Sequence, residues 1–331
     1  VSTNGGQTFS LKYGGPNSPP CHVAGVFFDG SLIYIGTNLG LVYSQNGGSS
    51  FSLVPYSGIQ AGEAMVSFAG AKQGATTRLF CTTLNDLAVY PGITSADFAG
   101  FIGVYTLDIG QAGWVYKITG ISAADYPFYI STSPNNINIA YLAGGNEVGT
   151  PVVYRTTNAG TSWSKTFFPT NNTNIATGWQ GFSGDKDWTF SGYCTGIDVC
   201  KNDVSKLTIT DLNGIYFSIN GGTTWRQGYV KTTSQNNIGV VTPLKKNYKG
   251  VGLENTKCWN LAWADSLKMI AGLSEFGAIS STDAGTSWAF NALSSFGTVY
   301  YTLKHPKTSM VYSAVSNVND IYEPSVLTDD K

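Results

Sequence analysis

The sequence predicts an all-β protein built from repeated four-stranded sheets, and three observations support this fold class. The 331 residues include 40 Gly, 19 Tyr, 17 Phe and 8 Trp, and only 12% of residues are charged. Aromatic residues favour strands and glycine favours tight turns, whereas charged helix formers are scarce. An eight-residue motif recurs along the chain, and short runs of alternating apolar and polar residues lie between its copies.

The eight-residue motif, which we call the octapeptide, has a fixed pattern. Its first position is Ser or Thr, its third Asn or Asp, its fifth Gly, its seventh Ser or Thr, and its eighth an aromatic residue. The clear copies span residues 2–9, 44–51, 156–163, 218–225 and 281–288. A degraded copy begins at Thr106 and keeps Asp108 and Gly110 in register, but its aromatic residue, Trp114, comes one place late. Chance does not produce five such copies, so the motif marks a structural repeat.

Each position of the octapeptide has a mechanical role in a turn. Asn or Asp at position three bonds its own backbone and tolerates left-handed geometry. The glycine supplies a positive φ, and the hydroxyl residues tie the turn back on itself. The aromatic residue anchors the turn in the core. We therefore expect a hairpin tip between two strands rather than a reaction centre.

The segments between octapeptides contain the predicted strands. These are expected at residues 22–28, 31–36, 40–44, 50–55, 125–131, 137–143, 151–156, 195–200, 206–210, 214–218, 259–263, 268–272, 277–281, 298–303 and 310–315. Successive copies start about 42, 62, 50, 62 and 63 residues apart, which suits the four-stranded blades of a β-propeller. We predict six blades, or seven if residues 52–150 contain an extra one. The repeat period argues against a two-sheet sandwich.

The octapeptide resembles the Asp-box (BNR) repeat of sialidases, xyloglucan-hydrolysing enzymes, sortilin-type receptors and many secreted propellers. Four of the five clear copies carry Asn in place of Asp, which leaves the turn chemistry intact. The resemblance covers nearly the whole chain and implies one propeller domain over residues 1–331, in which the box is structural. Residue 1 lies at a hairpin tip and the last unit lacks its own copy. We therefore expect a piece of a longer multidomain chain, rather than a ring zipped by an N-terminal strand.

The composition excludes some partners and favours secretion. The formal net charge is −1, so the chain lacks the basic face that a nucleic-acid binder needs. No apolar run approaches the length of a membrane span. Low charge, abundant Ser, Thr, Asn and Gly, and a glycosylation sequon at residues 171–173 favour a secreted, extracellular protein. No cofactor is expected.

Metal chemistry and sialidase chemistry are both disfavoured. His22 and His305 are the only histidines, and no Cys/His spacing matches a zinc site. Resemblance to sialidases would imply three arginines that grip a carboxylate. The chain has three Arg, but Arg155 precedes one octapeptide and Arg226 follows another, on the wrong face for such a site.

Five cysteines leave at least one thiol unpaired. Cys194 and Cys200 lie too far apart along one extended strand to form a disulfide. Cys194 and Cys258 both begin inner strands of adjacent predicted blades, so they are the expected pair if the chain has a disulfide. Cys81 is expected to be a buried core thiol.

Two long loops on the face opposite the octapeptides have residues that suit a sugar. They span residues 169–193 and 231–257, and the candidate binding residues are Trp179, Asp185, Asp187, Trp188, Tyr193 and Tyr248. Aromatic rings stack on the apolar faces of sugar rings, while carboxylates bind the hydroxyls. The alternative is that the loops cover the blade edge, with Trp179 and Trp188 as their own packing.

Acidic residues in the turns between second and third strands are the candidate catalytic groups. These turns contain Asp86, Glu147, Asp211 and Glu275. Asp211 adjoins the first long loop and, with Glu254 of the second, forms the candidate catalytic pair, because two carboxylates can hydrolyse a glycosidic bond. The alternative is turn chemistry alone, since acidic residues and Asn favour turns.

Two functions remain open on these residues. The first is a propeller that binds polysaccharide or glycan on its long-loop face, with or without cleavage as a glycoside hydrolase or related glycan-active enzyme, and not as a typical sialidase. The second is a non-catalytic structural or adhesion module of an extracellular assembly. The expected partner is therefore a carbohydrate or another extracellular protein.

Overall fold

The chain is all-β, as predicted. The computed structural model describes residues 1–14, 21–55, 57–85, 100–178, 192–212, 214–242, 246–253, 257–274, 276–291 and 297–317. Strands account for 48% of the structure and helix for 2%. The helical part includes short 3₁₀ turns at Thr170–Asn172 and Thr232–Ser234. In these described ranges, no helix is long and apolar enough to cross a membrane.

Contacts divide the chain into two compact units. The first comprises residues 1–167, 192–211 and 218–223, and the second comprises residues 168–191, 212–217 and 224–331. A single domain over residues 1–331 stays a prediction.

Four-stranded antiparallel sheets build the first unit. Its strands are β1 (Val23–Asp29), β2 (Leu32–Thr37), β3 (Gly40–Ser44), β4 (Ser52–Val54), β5 (Glu63–Gln73), β6 (Thr76–Asn85), β7 (Phe101–Asp108), β8 (Val115–Tyr116), β9 (Asp125–Thr132), β10 (Ala140–Asn146), β11 (Pro151–Thr156) and β12 (Ser164–Lys165). Strands β1–β4, β5–β8 and β9–β12 each form one sheet, with neighbours in sequence order. A hairpin of β14 (Cys194–Val199) and β15 (Leu207–Asp211) completes the unit. Sequential four-stranded sheets are typical of propeller blades; the number of blades stays a prediction.

The second unit contains the remaining strands. They are β13 (Ile175–Ala176), β16 (Ile215–Ser218, with Ser218 in the first unit), β17 (Trp225–Gln227), β18 (Cys258–Trp263), β19 (Met269–Leu273), β20 (Gly277–Ser281), β21 (Ala289–Asn291), β22 (Thr298–Lys304) and β23 (Val311–Ser316). Strand β17 pairs with β16 in antiparallel fashion and with β13 in parallel. The other sheet has the order β18-β19-β20-β22-β23, and β21 also pairs with β20.

The strands predicted from sequence agree with observed strands to within two residues at nearly every position, whereas no range was predicted for β5–β8, β12, β13, β17 and β21. The exception is the strand predicted at residues 137–143, because β10 begins only at Ala140. Turn hydrogen bonds precede it, from the Asn136 amide to Ser133 O (3.2 Å) and from the Ile139 amide to Asn136 O (3.0 Å). Ile137 is buried without being in a strand, so its apolar character misled the prediction. In the described part of residues 52–150, a single sheet, β5–β8, lies between β4 and β9.

The octapeptides share one hydrogen-bond network. In every clear copy the position-five glycine amide donates to the position-one hydroxyl oxygen at 2.9 Å. In the copy that starts at Thr156, the Ser162 amide donates to Asn158 Oδ1 (2.9 Å), and Asn158 Nδ2 donates to Ser162 Oγ (2.9 Å). In the Asp283 copy the side-chain bond reverses, and Ser287 Oγ donates to Asp283 Oδ2 (2.6 Å). The predicted turn chemistry is confirmed.

The backbone of each octapeptide turns left-handed at positions four and five. Position five is always glycine, with φ between +80° and +88°. Position four is glycine in three copies, but Ala159 and Ala284 occupy it with φ of +56° and +55°. An L-residue in this region costs about 1–2 kcal/mol. The network is therefore strong enough to hold two alanines in a conformation that they otherwise avoid.

The aromatic anchors are buried to different degrees. Trp163 and Trp225 are 3% and 0% exposed, which confirms the prediction, whereas Trp288 is only half-buried and Phe9 is 77% exposed. The Trp163 amide also donates to Thr119 O (2.8 Å), and the Trp114 amide of the degraded copy makes the equivalent bond to Ser57 O (2.7 Å). Trp114 therefore replaces the missing anchor despite its late position.

Two apolar clusters hold neighbouring sheets of the first unit together. The cluster between the β1–β4 and β5–β8 sheets includes Tyr34, Phe68, Leu79, Tyr105 and Trp114. The cluster between the β5–β8 and β9–β12 sheets includes Phe80, Val104, Leu142, Tyr154 and Trp163. Octapeptide aromatic residues thus belong to the cores between sheets.

Truncation of a buried anchor should destabilise the first unit strongly. Trp163→Ala removes a buried indole and should lower the free energy of unfolding by about 3–5 kcal/mol. Phe9→Ala is the matched control in the same unit and should change it by less than about 0.5 kcal/mol, because Phe9 is exposed. Urea melts of both variants would measure this; equal effects would contradict the anchoring role.

The Asp283 turn should loosen in acid. Hydrogen bonds from the Ser287 side chain and backbone, and from Ser281, lower the pKa of Asp283 to about 2. An acid whose pKa falls on folding contributes stability above its unfolded pKa near 3.8, and that contribution is lost as the pH drops toward 2. Asp283→Asn, which restores the Asn of the other copies, should flatten the fall in melting temperature between pH 4 and 2. An unchanged pH profile would contradict this assignment.

Candidate functional site

The candidate site lies at the ends of the first-unit sheets that are opposite the octapeptides. Of the residues predicted from sequence, Trp179, Asp185, Asp187, Trp188 and Glu254 lie outside the described residues, as do Asp86 and Glu275. Tyr193 and Asp211 are described and lie at this end, and Glu147 lies in the exposed β10–β11 turn.

Asp211 ends β15 and lies opposite Cys194, the first residue of β14. Its side chain is 7% exposed. The buried Cys194 thiol donates to Val152 O at 3.8 Å. Burial raises the pKa of Cys194, and the negative charge of Asp211 raises it further. The thiol therefore stays protonated next to the Asp211 side chain.

Tyr193 lies against the β10–β11 hairpin, where glycine makes room for its ring. A Cβ atom on Gly145 would come within 1.8 Å of Tyr193 Cδ1, and one on Gly149 would lie 3.9 Å from its hydroxyl. Tyr193 is half-exposed and directly precedes Cys194. In the sequence, Tyr193 is the last residue of the long loop that contains Trp188, and the described residues resume at Gly192.

Further aromatic side chains surround the same sheet end. Tyr126, Tyr129 and Tyr193 pack against a small core that contains Phe128, and all three tyrosines remain partly exposed. Burial raises the pKa of Tyr129, with a smaller contribution from Cys194. We call Tyr126, Tyr129, Tyr193, Cys194 and Asp211 the tyrosine cluster. It offers phenol donors, aromatic faces and one buried carboxylate.

The sequence analysis missed two buried acids, Glu63 and Asp125, whose register pairs correspond to the Cys194–Asp211 pair. Glu63 and Asp125 begin β5 and β9 and pair in register with Asn85 and Asn146, as Cys194 pairs with Asp211. The signal that could have revealed them is this position, an acid at the first residue of an inner strand. Strands β5, β9 and β14, each the first strand of its sheet or hairpin, therefore all begin at or beside a buried acid.

The hydrogen bonds of Glu63 and Asp125 give them a structural role. Glu63 accepts from Thr83 Oγ1 (2.6 Å) and from the Tyr105 hydroxyl (2.9 Å). Asp125 accepts from the Tyr154 hydroxyl and from Lys165 Nζ (2.9 Å). Burial and the adjacent carboxylates raise the pKa of both tyrosines, so the phenols stay donors. Glu63 ties the first strand of its sheet to the second and third, and Asp125 ties the first strand of its sheet to the third and fourth. Both acids are already occupied by the protein's own donors.

Tyr248, a sugar-binding candidate from the sequence, belongs to the second unit. It is 4% exposed and forms a bridge with the octapeptide anchor Trp288. Its amide donates to Trp288 O (2.8 Å), and the Trp288 amide donates back to Tyr248 O (2.9 Å). A buried ring held against an anchor has no face free for a sugar, so Tyr248 is a packing residue.

The expected disulfide is not formed. All five cysteines are described, and all are free thiols. Cys194 is buried against Val152 O, whereas Cys258 is exposed with its sulfur 3.6 Å from Asn260 O. Cys81 is a fully buried core thiol, as predicted. Among the described residues, no group of three His, Cys, Asp or Glu is placed to hold a metal ion.

The fold is similar to that of solved glycoside hydrolases. An ancestral GH74 enzyme matches with a TM-score of 0.61 and 19% identity, over 89% of this chain and 39% of that one. The GH74 enzyme of Niastella koreensis matches with a TM-score of 0.54 and 16% identity, over 96% of this chain and 52% of that one. The chain thus spans about two fifths to one half of these enzymes. No family model and no curated protein matches it.

These neighbours are β-propeller proteins. At such low identity the similarity shows the fold alone. The activity must therefore be argued from the residues.

The contact between Tyr193 and the glycine hairpin can be tested by a double-mutant cycle. Gly145→Ala should lower the free energy of unfolding by about 1–3 kcal/mol, because its methyl group displaces the Tyr193 ring. In a Tyr193→Ala background the same change should cost much less, because the ring is gone. Urea melts of the four proteins measure the coupling. Additive effects would show that Tyr193 does not lie on Gly145.

Proposed function

We propose that this chain is an extracellular Asp-box β-propeller that binds polysaccharide at the tyrosine cluster. The observation that carries the proposal is three partly exposed tyrosines beside a buried carboxylate, at the sheet end opposite the octapeptides. Tyrosine rings offer a flat apolar face together with a hydroxyl, which suits the mixed surface of a sugar.

The long loop before Tyr193 supports the same ligand class. It contains Trp179, Asp185, Asp187 and Trp188, and the chain continues from it directly into the cluster. We infer that these residues extend the sugar-binding surface. The fold similarity to GH74 enzymes is consistent with a glycan ligand.

Cleavage is the stronger form of this proposal and rests on Asp211 and Glu254. Hydrolysis of a glycosidic bond needs two carboxylates, one to protonate the leaving group and one to act as base or nucleophile. Asp211 is buried beside a protonated thiol, and in this proposal it takes the second of these roles. Glu254 would have to supply the acid.

A non-catalytic role in an extracellular assembly is the second candidate. Strand β1 has Val23, Val26 and Phe28 at 64%, 45% and 65% exposure. A run of exposed apolar side chains on one strand is typical of surfaces that another protein covers. Failure to bind any glycan, together with self-association that Val26→Ser and Phe28→Ser abolish, would favour this role.

Binding to a glycan array and to insoluble polysaccharides should decide between these functions. Tyr193→Ala and Trp188→Ala should weaken binding about three- to tenfold, which corresponds to loss of roughly 0.5–1.5 kcal/mol of aromatic contact. Tyr301→Ala, which removes a 56% exposed tyrosine from β22, is the matched control and should bind as the parent does. Equal affinity of the parent and the three variants would show that glycans do not bind at the tyrosine cluster.

Release of reducing ends from a bound polysaccharide tests the catalytic form. Asp211→Asn and Glu254→Gln should each abolish release while binding persists. Binding without release by the intact protein would refute catalysis and leave binding as the function.

A further inference from the structure

The degraded octapeptide differs from the clear copies in what its acidic residue does. The position-three side chain of a clear copy accepts hydrogen bonds from its own turn, as Asn158 does from the Ser162 amide. Asp108 instead accepts two hydrogen bonds from Arg78 of the neighbouring strand, from Nε to Oδ1 at 2.6 Å and from Nη2 to Oδ2 at 2.8 Å. In the described part of the chain its carboxylate has no other donor.

A cavity of about 570 Å³ opens beside this altered turn, entirely within the first unit. Its lining includes Arg78, Thr106, Asp108, Gln111, Trp114 and Lys117. A cavity of this size is in the range of small-ligand sites. It lies at the octapeptide end of the sheets, away from the tyrosine cluster.

The rim of the cavity is fixed by hydrogen bonds. Ser57 Oγ donates to Ala112 O (3.0 Å), and the Trp114 amide donates to Ser57 O (2.7 Å). Gly58 has a φ of +92°, and any Cβ there would lie 2.1 Å from Trp114 O, so glycine is required for this close approach. A preformed rim reduces the entropic cost of binding a ligand.

The charges of the cavity favour a ligand with one negative charge. Arg78 and Asp108 neutralise each other as a bidentate pair. Lys117 is half-buried, and its ammonium group forms no ion pair with any residue that the structure describes. The cavity therefore has one cation in excess. The Asp108 carboxylate would repel a phosphate dianion, but its remaining lone pairs can accept hydroxyl protons.

We propose that this cavity binds a uronate residue of an acidic polysaccharide. Lys117 pairs with the sugar carboxylate, Asp108 accepts from ring hydroxyls, and Val115, which lines the cavity and is 51% exposed, supplies an apolar contact. Arg78 is a positioning residue, because its guanidinium holds Asp108 and also donates from Nη1 to Asn138 Oδ1 (2.6 Å). The site is independent of the glycan surface at the tyrosine cluster.

Calorimetric titration of the full chain with trigalacturonate, and with the neutral galactose trimer, tests the proposal. The uronate trimer should bind at least tenfold more tightly than the neutral one. Lys117→Ala should remove this preference and Lys117→Arg should retain it. Lys201→Ala, which removes an exposed lysine of the same unit, should change nothing.

A second variant blocks the cavity without touching its charges. Thr161→Tyr introduces a ring at the exposed rim and should weaken uronate binding at least tenfold, at an unchanged melting temperature. Tyr193→Ala should leave uronate binding intact, which separates this site from the proposed polysaccharide surface. Equal binding of the two trimers, an effect of Lys201→Ala as large as that of Lys117→Ala, or loss on Tyr193→Ala would overturn the proposal.

Discussion

The bond from the position-five glycine amide to the position-one hydroxyl oxygen is the constraint on which the hairpins depend. It has the same length, 2.9 Å, in every clear octapeptide, whether the tip is well packed or exposed. Short loops closed by such bonds form without long-range contacts. The exposed Phe9 turn keeps the same network as the buried Trp163 turn, so the network does not require burial of the aromatic residue at its end.

Packing then converts independent hairpins into adjoining sheets. Trp163 packs in the core between its own sheet and the preceding one. Its amide donates a hydrogen bond to Thr119 O, in the connection from β8 to β9. Trp114 does the same from a displaced position, so the anchor tolerates a shift of one residue. At the opposite sheet ends, Glu63 and Asp125 use polar contacts to hold the strands of their own sheets together. A buried acid that accepts from a tyrosine is costly to disrupt, because it would leave a charge without partners.

Local patterns allowed most of the strands to be predicted, but they could not reveal the site. The strand ends were predicted from the alternation of apolar and polar residues and from turn-forming residues, and both signals extend over only a few positions of the sequence. Glu63 and Tyr105 are 42 residues apart and meet only through strand register, so no local pattern contains their contact. Tyr248 was assigned to a sugar site because its loop is long, whereas its place is set by backbone pairing with Trp288. Tyr193 and Asp211 lie at one sheet end because Tyr193 precedes β14 and Asp211 ends β15, the strand paired with β14. Their role in a binding site stays a prediction.

The exchange of Asn for Asp in the octapeptide has an electrostatic consequence. Asn158 donates where Asp283 accepts, yet both turns close with the same geometry, so the fold does not constrain the charge of the tip. Four of the five clear copies use the neutral amide. Carboxylates in place of these amides would add negative potential at each tip and repel a polyanion over about a Debye length. The amides leave the approach open to an acidic polymer, at no cost to the turns.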